Sequence, residues 1–157
     1  MQLTGAFIVC ACTAFIGVLL AKKEKDHLKA CEEILYVMRY IRDDIWAKKT
    51  PTSVIFSSLS SPLLHQAGFY RHLKENGDLY NAARECCFFQ EKELSFIKEF
   101  SFRIGKTASE NQKNEFNIII EKMEVHTRFL RDDLPKKQKL HFALPAFFGL
   151  LAVIVFI

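Results

Sequence analysis

The chain has 157 residues, of which 50% are hydrophobic and 25% charged, and its formal net charge at neutral pH is +4. This small charge comes from acidic and basic residues mixed along residues 22–139 without a dense basic stripe, which argues against nucleic-acid binding. The five cysteines form no CxxC pair and have no zinc-site spacing, so the sequence predicts no metal site.

The first 21 residues carry no Asp, Glu, Lys or Arg. As a helix, residues 3–21 would reach about 28 Å, close to one hydrocarbon thickness, so we predict that residues 1–21 form a transmembrane helix. One face of this helix carries small side chains at spacings of three and four: Ala6, Cys10, Thr13, Gly17 and Ala21. Such a face favours close packing against another helix, either the chain's own second span or another protein, although small residues that merely face lipid are an alternative.

The middle of the chain, residues 22–139, contains all the charged residues and is predicted to be one helical domain. Its first helix, residues 24–48, continues from the membrane span and has an apolar stripe at spacings of three and four: Leu28, Cys31, Leu35, Met38, Ile41 and Ile45. Thr50 precedes Pro51 and therefore ends this helix, and Pro51 can open a second one.

Residues that typically start or end helices predict three further helices. Pro62 opens a third helix that runs toward Glu75, Gly77 turns the chain, and Asp78 can cap a fourth. The fifth is expected around residues 91–104, where Gly105 offers a stop.

The sixth helix begins near residues 107–112, where Ser/Thr and Glu/Gln spacing fits a capping box. It continues with a four-three alternation typical of a packed seam: Phe116, Ile120, Met123, Thr127, Leu130 and Leu134. No strand-like alternation is long enough to compete. The fold class is therefore all-α, a bundle of about six helices in residues 22–139.

The chain closes on a second uncharged run, residues 140–157, which we predict to be a C-terminal transmembrane helix. Basic residues flank the domain side of both spans: Lys22, Lys23, Lys25 and Lys29 after the first, and Arg131, Lys136, Lys137 and Lys139 before the second. By the positive-inside rule, the middle domain is cytoplasmic and both termini face outside, with membrane lipid as a partner.

Residues suited to catalysis are not arranged for it. His65 and His72 are seven apart, but two imidazoles without a third ligand make a weak zinc site. No nucleophile has an adjacent base. We therefore predict a protein that is not an enzyme, with no catalytic, cofactor-binding or metal-binding residues.

The whole chain resembles the stage III sporulation protein AB family. The resemblance lies in the N-terminal pattern of Leu3, Gly5, Ala6, Thr13, Gly17 and Ala21, in Ile41 and Ile45 before Thr50 and Pro51, in Ile104 and Gly105 followed by Gln112, and in Lys139, Leu140, Gly149, Leu150, Val153 and Ile154 near the end. One departure is Thr107-Ala108, where the family has Ser-Asp.

The resemblance implies a cell-membrane protein on the mother-cell side of the engulfing membrane, in a secretion-like channel between mother cell and forespore. Its soluble part is similar to the cytoplasmic domain of type II secretion and type IV pilus platform proteins. The implied partners are other stage III sporulation channel proteins, including a cytoplasmic ATPase. The resemblance implies that the protein couples this ATPase to membrane components. A homo-oligomer is a further alternative.

Two other functions stay open from the sequence. A pore-forming membrane protein would use spans with a polar stripe, and these spans offer only Thr4, Thr13 and His141. A doubly anchored protein with a ligand-sensing helical domain would need a pocket with convergent polar groups.

Overall fold

The computed structural model describes residues 2–48, 54, 59–104 and 110–156, and side chains in most of these. It confirms the all-α fold, with no strand among the described residues. Six helices have described bounds: α1 Gln2–Lys48, α2 Pro62–Gln66, α3 Phe69–Asn76, α4 Leu79–Glu85, α5 Glu91–Arg103 and α6 Glu110–Phe156.

The chain forms two compact units. The terminal unit consists of Met1–Asp26 and Phe129–Ile157, and the central unit is His27–Arg128. The long helices α1 and α6 each contribute to both, whereas the four short helices belong to the central unit.

The core of the central unit follows the predicted stripes. Leu28, Cys31, Leu35, Met38 and Ile41 of α1 are buried, and Ile45 is half-buried. The opposing side of the core comes from the other helices, with large side chains fully buried: Leu64, Phe69, Leu73, Leu79, Ile97, Phe100, Phe116 and Ile119. Burying such side chains contributes roughly 1.5–3 kcal/mol each, so this core supplies most of the driving force for folding.

Polar contacts also join α1 to α6 in the central unit. Both Nε and Nη2 of Arg39 donate to Glu124 Oε1, at 3.1 and 2.6 Å, and Arg42 Nη1 donates to Asn117 Oδ1 at 3.1 Å. These pairs are partly exposed, so they fix the alignment of the helices more than they stabilise the fold.

Local sequence signals predict most boundaries of the short helices correctly and miss one. Pro62 opens α2, and Gly77 ends α3 in the left-handed conformation, as predicted. Asp78 caps α4 by accepting from the Tyr80 N–H. The single third helix expected toward Glu75 is wrong, because Gly68, with φ of 78°, separates α2 from α3.

A capping box that we did not predict starts α5. The Glu93 side chain accepts from the Gln90 N–H at 2.7 Å, and the Gln90 side chain accepts from the Glu93 backbone. The expected helix end at Thr50-Pro51, the second helix of residues 51–59, the Gly105 stop and the box at 107–112 lie wholly or mostly outside the described residues.

In the terminal unit, Gly17 of α1 lies against α6. A Cβ on Gly17 would stand 2.6 Å from the His141 carbonyl oxygen and 3.1 Å from Pro145 Cγ, so only glycine allows this close approach. An apolar groove lies beside this contact and is lined by Thr13, Ile16, Leu20, His141, Leu144 and Pro145.

Across the described part of the chain, the search for a helix both long and apolar enough to span a membrane finds none. The assignment of residues 1–21 and 140–157 to the membrane stays a prediction.

Candidate functional site

The most unusual site in the central unit is a group of titratable side chains inside the core, which we call the Glu93 cluster: His27, Cys31, Glu93 and His126. Three helices supply it. Residues four apart on α1 place His27 and Cys31 on one helix face, α5 gives Glu93 from its first turn, and α6 gives His126.

The cluster is largely buried. Glu93 and Cys31 are fully buried, and the two histidine side chains are each about 10% exposed. Charged side chains are seldom buried this deeply unless they are paired, so the partners of Glu93 decide whether this arrangement is stable.

Glu93 uses both carboxylate oxygens. Oε2 accepts the Gln90 N–H of the capping box, and Oε1 lies 2.5 Å from His126 Nε2 and 3.5 Å from His27 Nε2. Burial alone would raise the pKa of Glu93, but the two histidines and the Gln90 N–H outweigh burial and hold this pKa at about 2. The carboxylate is therefore ionised at neutral pH.

The nitrogen donors of the cluster are not fully satisfied. The 3.5 Å approach of His27 Nε2 to Glu93 lacks hydrogen-bond geometry, and among the described residues this nitrogen has no hydrogen-bond partner. His126 Nδ1 is likewise buried without one, although Phe96 packs edge-on against the ring with 6.1 Å between centroids. Buried polar atoms without protein partners are uncommon, and a bound ion or water is the usual explanation.

Cys31 completes the group. Burial, followed by the nearby carboxylates Glu93 and Glu32, raises the pKa of its thiol, so the thiol is protonated in the absence of a cation. One ligand atom each from His27, Cys31 and Glu93 lies within 4.8 Å of the others. Such a group can hold helices together, share a proton or bind a cation.

The residues singled out from the sequence lie elsewhere. Of the small-residue face, Gly17 and Ala21 are buried, Thr13 is half-buried, and Ala6 and Cys10 lie in α1 without described side chains. Of the family-motif positions, Gln112 and Gly149 lie in α6. The other three, Thr50, Pro51 and Gly105, are outside the described residues.

The histidines considered from the sequence are separate from the cluster. His65 is exposed at the end of α2, and His72 of α3 approaches Glu75 at 3.8 Å. The cluster could not be recognised in the sequence because its members come from three distant segments. Only two local patterns pointed to it, namely His27 and Cys31 at i, i+4 and the Gln90–Glu93 capping spacing.

Comparison with known proteins identifies a family. The model of the family described as stage III sporulation protein AB matches residues 2–157. No curated protein and no solved structure matches the chain. Because the match covers residues 2–157 of the 157-residue sequence, this chain belongs to the stage III sporulation protein AB family and has a role in sporulation.

Proposed function

We propose that this protein is a non-enzymatic platform of the secretion-like channel between mother cell and forespore, and that it couples a cytoplasmic ATPase to membrane components. The observation that carries the proposal is the family match over residues 2–157. The proposed partners are the other stage III sporulation channel proteins, with that ATPase among them.

The proposal includes a membrane location on the mother-cell side. Its support is the absence of charge from residues 1–21 and 140–157, together with the basic residues that flank the middle domain. In this arrangement residues 22–139 face the cytoplasm, where an ATPase is accessible, and both termini lie outside.

The outward face of α6 supports a protein-binding role for the central unit. Phe116, Ile119, Ile120 and Met123 form its buried face. Ile118 and Val125, two turns apart on the opposite side, are 52% and 60% exposed. These two exposed apolar side chains, which flank the exposed Glu121 and Lys122, support a surface that another protein covers.

The test is an affinity purification from sporulating cells, with a tag inside residues 22–139 and a non-sporulating culture as the reference. We expect mass spectrometry to recover the sporulation ATPase and channel proteins with the wild type. The double variant Ile118→Lys/Val125→Lys should lose the ATPase, because two cations replace the apolar contact.

Phe102→Lys is the matched control, since it places one cation at a 72% exposed apolar position on α5. It should recover the ATPase as the wild type does. If the wild type instead recovers unrelated partners during vegetative growth, or a reconstituted chain neither binds nor stimulates the ATPase, the platform proposal is wrong.

A further inference from the structure

The Glu93 cluster offers three kinds of donor atom to one point in the core. These are the imidazole nitrogen of His27, the sulfur of Cys31 and a carboxylate oxygen of Glu93, all within 4.8 Å of one another. Nitrogen, thiolate sulfur and carboxylate oxygen are together the ligand set that Zn²⁺ accepts in proteins.

The spacing suits a tetrahedral ion. Bonds of about 2.0–2.3 Å to zinc place neighbouring donor atoms roughly 3.3–3.7 Å apart. His27 Nε2 and Glu93 Oε1 are 3.5 Å apart, and no separation in the trio exceeds 4.8 Å, which is at most about 1 Å beyond the ideal. Small changes in the side-chain χ angles would therefore bring the three donor atoms to zinc-binding distances, without movement of a helix.

The unpartnered nitrogen is the independent sign of a ligand. His27 is 8% exposed, and its Nε2 is directed at Glu93 without forming a hydrogen bond in the described part of the protein. A bound cation would satisfy this atom.

Charge balance also favours a divalent ion. Zn²⁺ with the Cys31 thiolate, the Glu93 carboxylate and a neutral His27 gives a centre with no net charge, which reduces the cost of burial. Binding displaces the thiol proton of Cys31, and this proton leaves to solvent.

We propose that His27, Cys31 and Glu93 bind one zinc ion that joins α1 to α5, and that His126 is a positioning residue. Its Nε2, 2.5 Å from Glu93 Oε1, donates to the ligating carboxylate and fixes its orientation. The fourth coordination position belongs to a water molecule.

The experiment uses full-length protein, reduced and stripped of metal with a chelator, then titrated with Co²⁺ as a spectroscopic probe and with Zn²⁺. We expect one Co²⁺ per chain, with a thiolate-to-cobalt charge-transfer band that Zn²⁺ abolishes by displacement. Cys31→Ala should remove the band, whereas Cys86→Ala/Cys87→Ala should keep it and serves as the matched control. His126→Gln should keep the band and the stoichiometry but weaken affinity about 10–100-fold, as the loss of an outer-shell partner does.

A second measurement needs no variant and therefore does not depend on whether a variant folds. X-ray absorption on the wild-type zinc complex should give one sulfur at about 2.3 Å and nitrogen or oxygen ligands at about 2.0–2.1 Å. A band that survives Cys31→Ala, a zinc shell without sulfur, or no stoichiometric binding by the wild type would overturn the proposal. The cluster would then be a proton-sharing part of the core.

Discussion

The Glu33 carboxylate on α1 accepts two hydrogen bonds from the backbone N–H of Leu63, at 3.2 and 3.0 Å to its two oxygens. One of these oxygens also accepts the Leu64 N–H at 2.9 Å. Ser61, at the N-cap position of α2, makes no side-chain cap. A residue about thirty positions away therefore supplies the cap, and its negative charge complements the helix N-terminus.

Replacing Glu33 with Ala should lower the free energy of unfolding by about 1–2 kcal/mol, because the first turn of α2 loses its acceptor. Glu33→Gln should cost less, since one amide oxygen can still accept. Urea denaturation followed by circular dichroism measures both. Glu121→Ala, at an exposed carboxylate on α6, is the control and should change stability by less than about 0.5 kcal/mol. Equal effects of Glu33→Ala and Glu121→Ala would contradict the capping role.

Glu93→Leu in metal-free protein should cost about 3 kcal/mol or more, because it leaves the Gln90 N–H and His126 without an acceptor inside the core. Glu93→Gln keeps the volume and one acceptor and should be milder. Thermal unfolding in chelator gives the comparison. The exposed neighbour Glu91 provides the control Glu91→Gln, which should be nearly neutral. A Glu93→Leu protein as stable as the wild type would show that the cluster contributes nothing to the fold.

The substitution Gly17→Ala in the terminal unit has two opposing effects on stability. Alanine favours the helix by about 1 kcal/mol over glycine, but its Cβ would overlap the His141 carbonyl oxygen, a backbone atom that cannot rotate away. We expect the overlap to dominate, with a net loss of about 1–3 kcal/mol. The measurement is the melting temperature of the full-length protein, with Val18→Ala at an exposed site as the control. A higher melting temperature for Gly17→Ala would rule out the close contact.

Cys86 and Cys87 are adjacent but should react differently with iodoacetamide. Burial, then the neighbours Cys87 and Glu85, raises the pKa of the Cys86 thiol to about 11, so at pH 8 only about one in a thousand is thiolate. Cys87 is exposed. Tandem mass spectrometry of native protein at pH 8 should find label on Cys87 and little on Cys86, with Cys86 labelling faster as the pH rises toward 11. Both should label in denaturant, and equal labelling without denaturant would be inconsistent with the buried thiol.

The elements that could be predicted from the sequence are those set by nearby residues. The apolar stripe of α1 repeats at helical spacing, and Pro62, Gly77 and Asp78 act on backbone within a few residues of themselves. The break at Gly68 could not be predicted, because a glycine inside a helical pattern does not by itself end a helix. Only its positive φ shows that one helix ends there and another begins.

The Glu93 cluster could not be predicted from local patterns, because it forms only when α1, α5 and α6 pack together. Cys31 was correctly placed on a buried stripe, but nothing in the sequence says that a histidine of α6 and a carboxylate of α5 meet the same stripe. Likewise, Glu33 looks like an ordinary helix-surface acid, and its capping role depends on where α2 docks. Contacts between distant segments are set by tertiary structure, which one sequence does not reveal.

The capping box that places Glu93 also bears on the order of folding. It joins residues three positions apart, so the carboxylate takes its position as soon as the first turn of α5 forms. His126 and His27 reach it only when α6 and α1 dock against α5, and these contacts close sequence separations of 33 and 66 residues respectively. We therefore expect the cluster to be completed after the capping box forms, and a kinetic probe of it would report when α1 and α6 have both docked against α5.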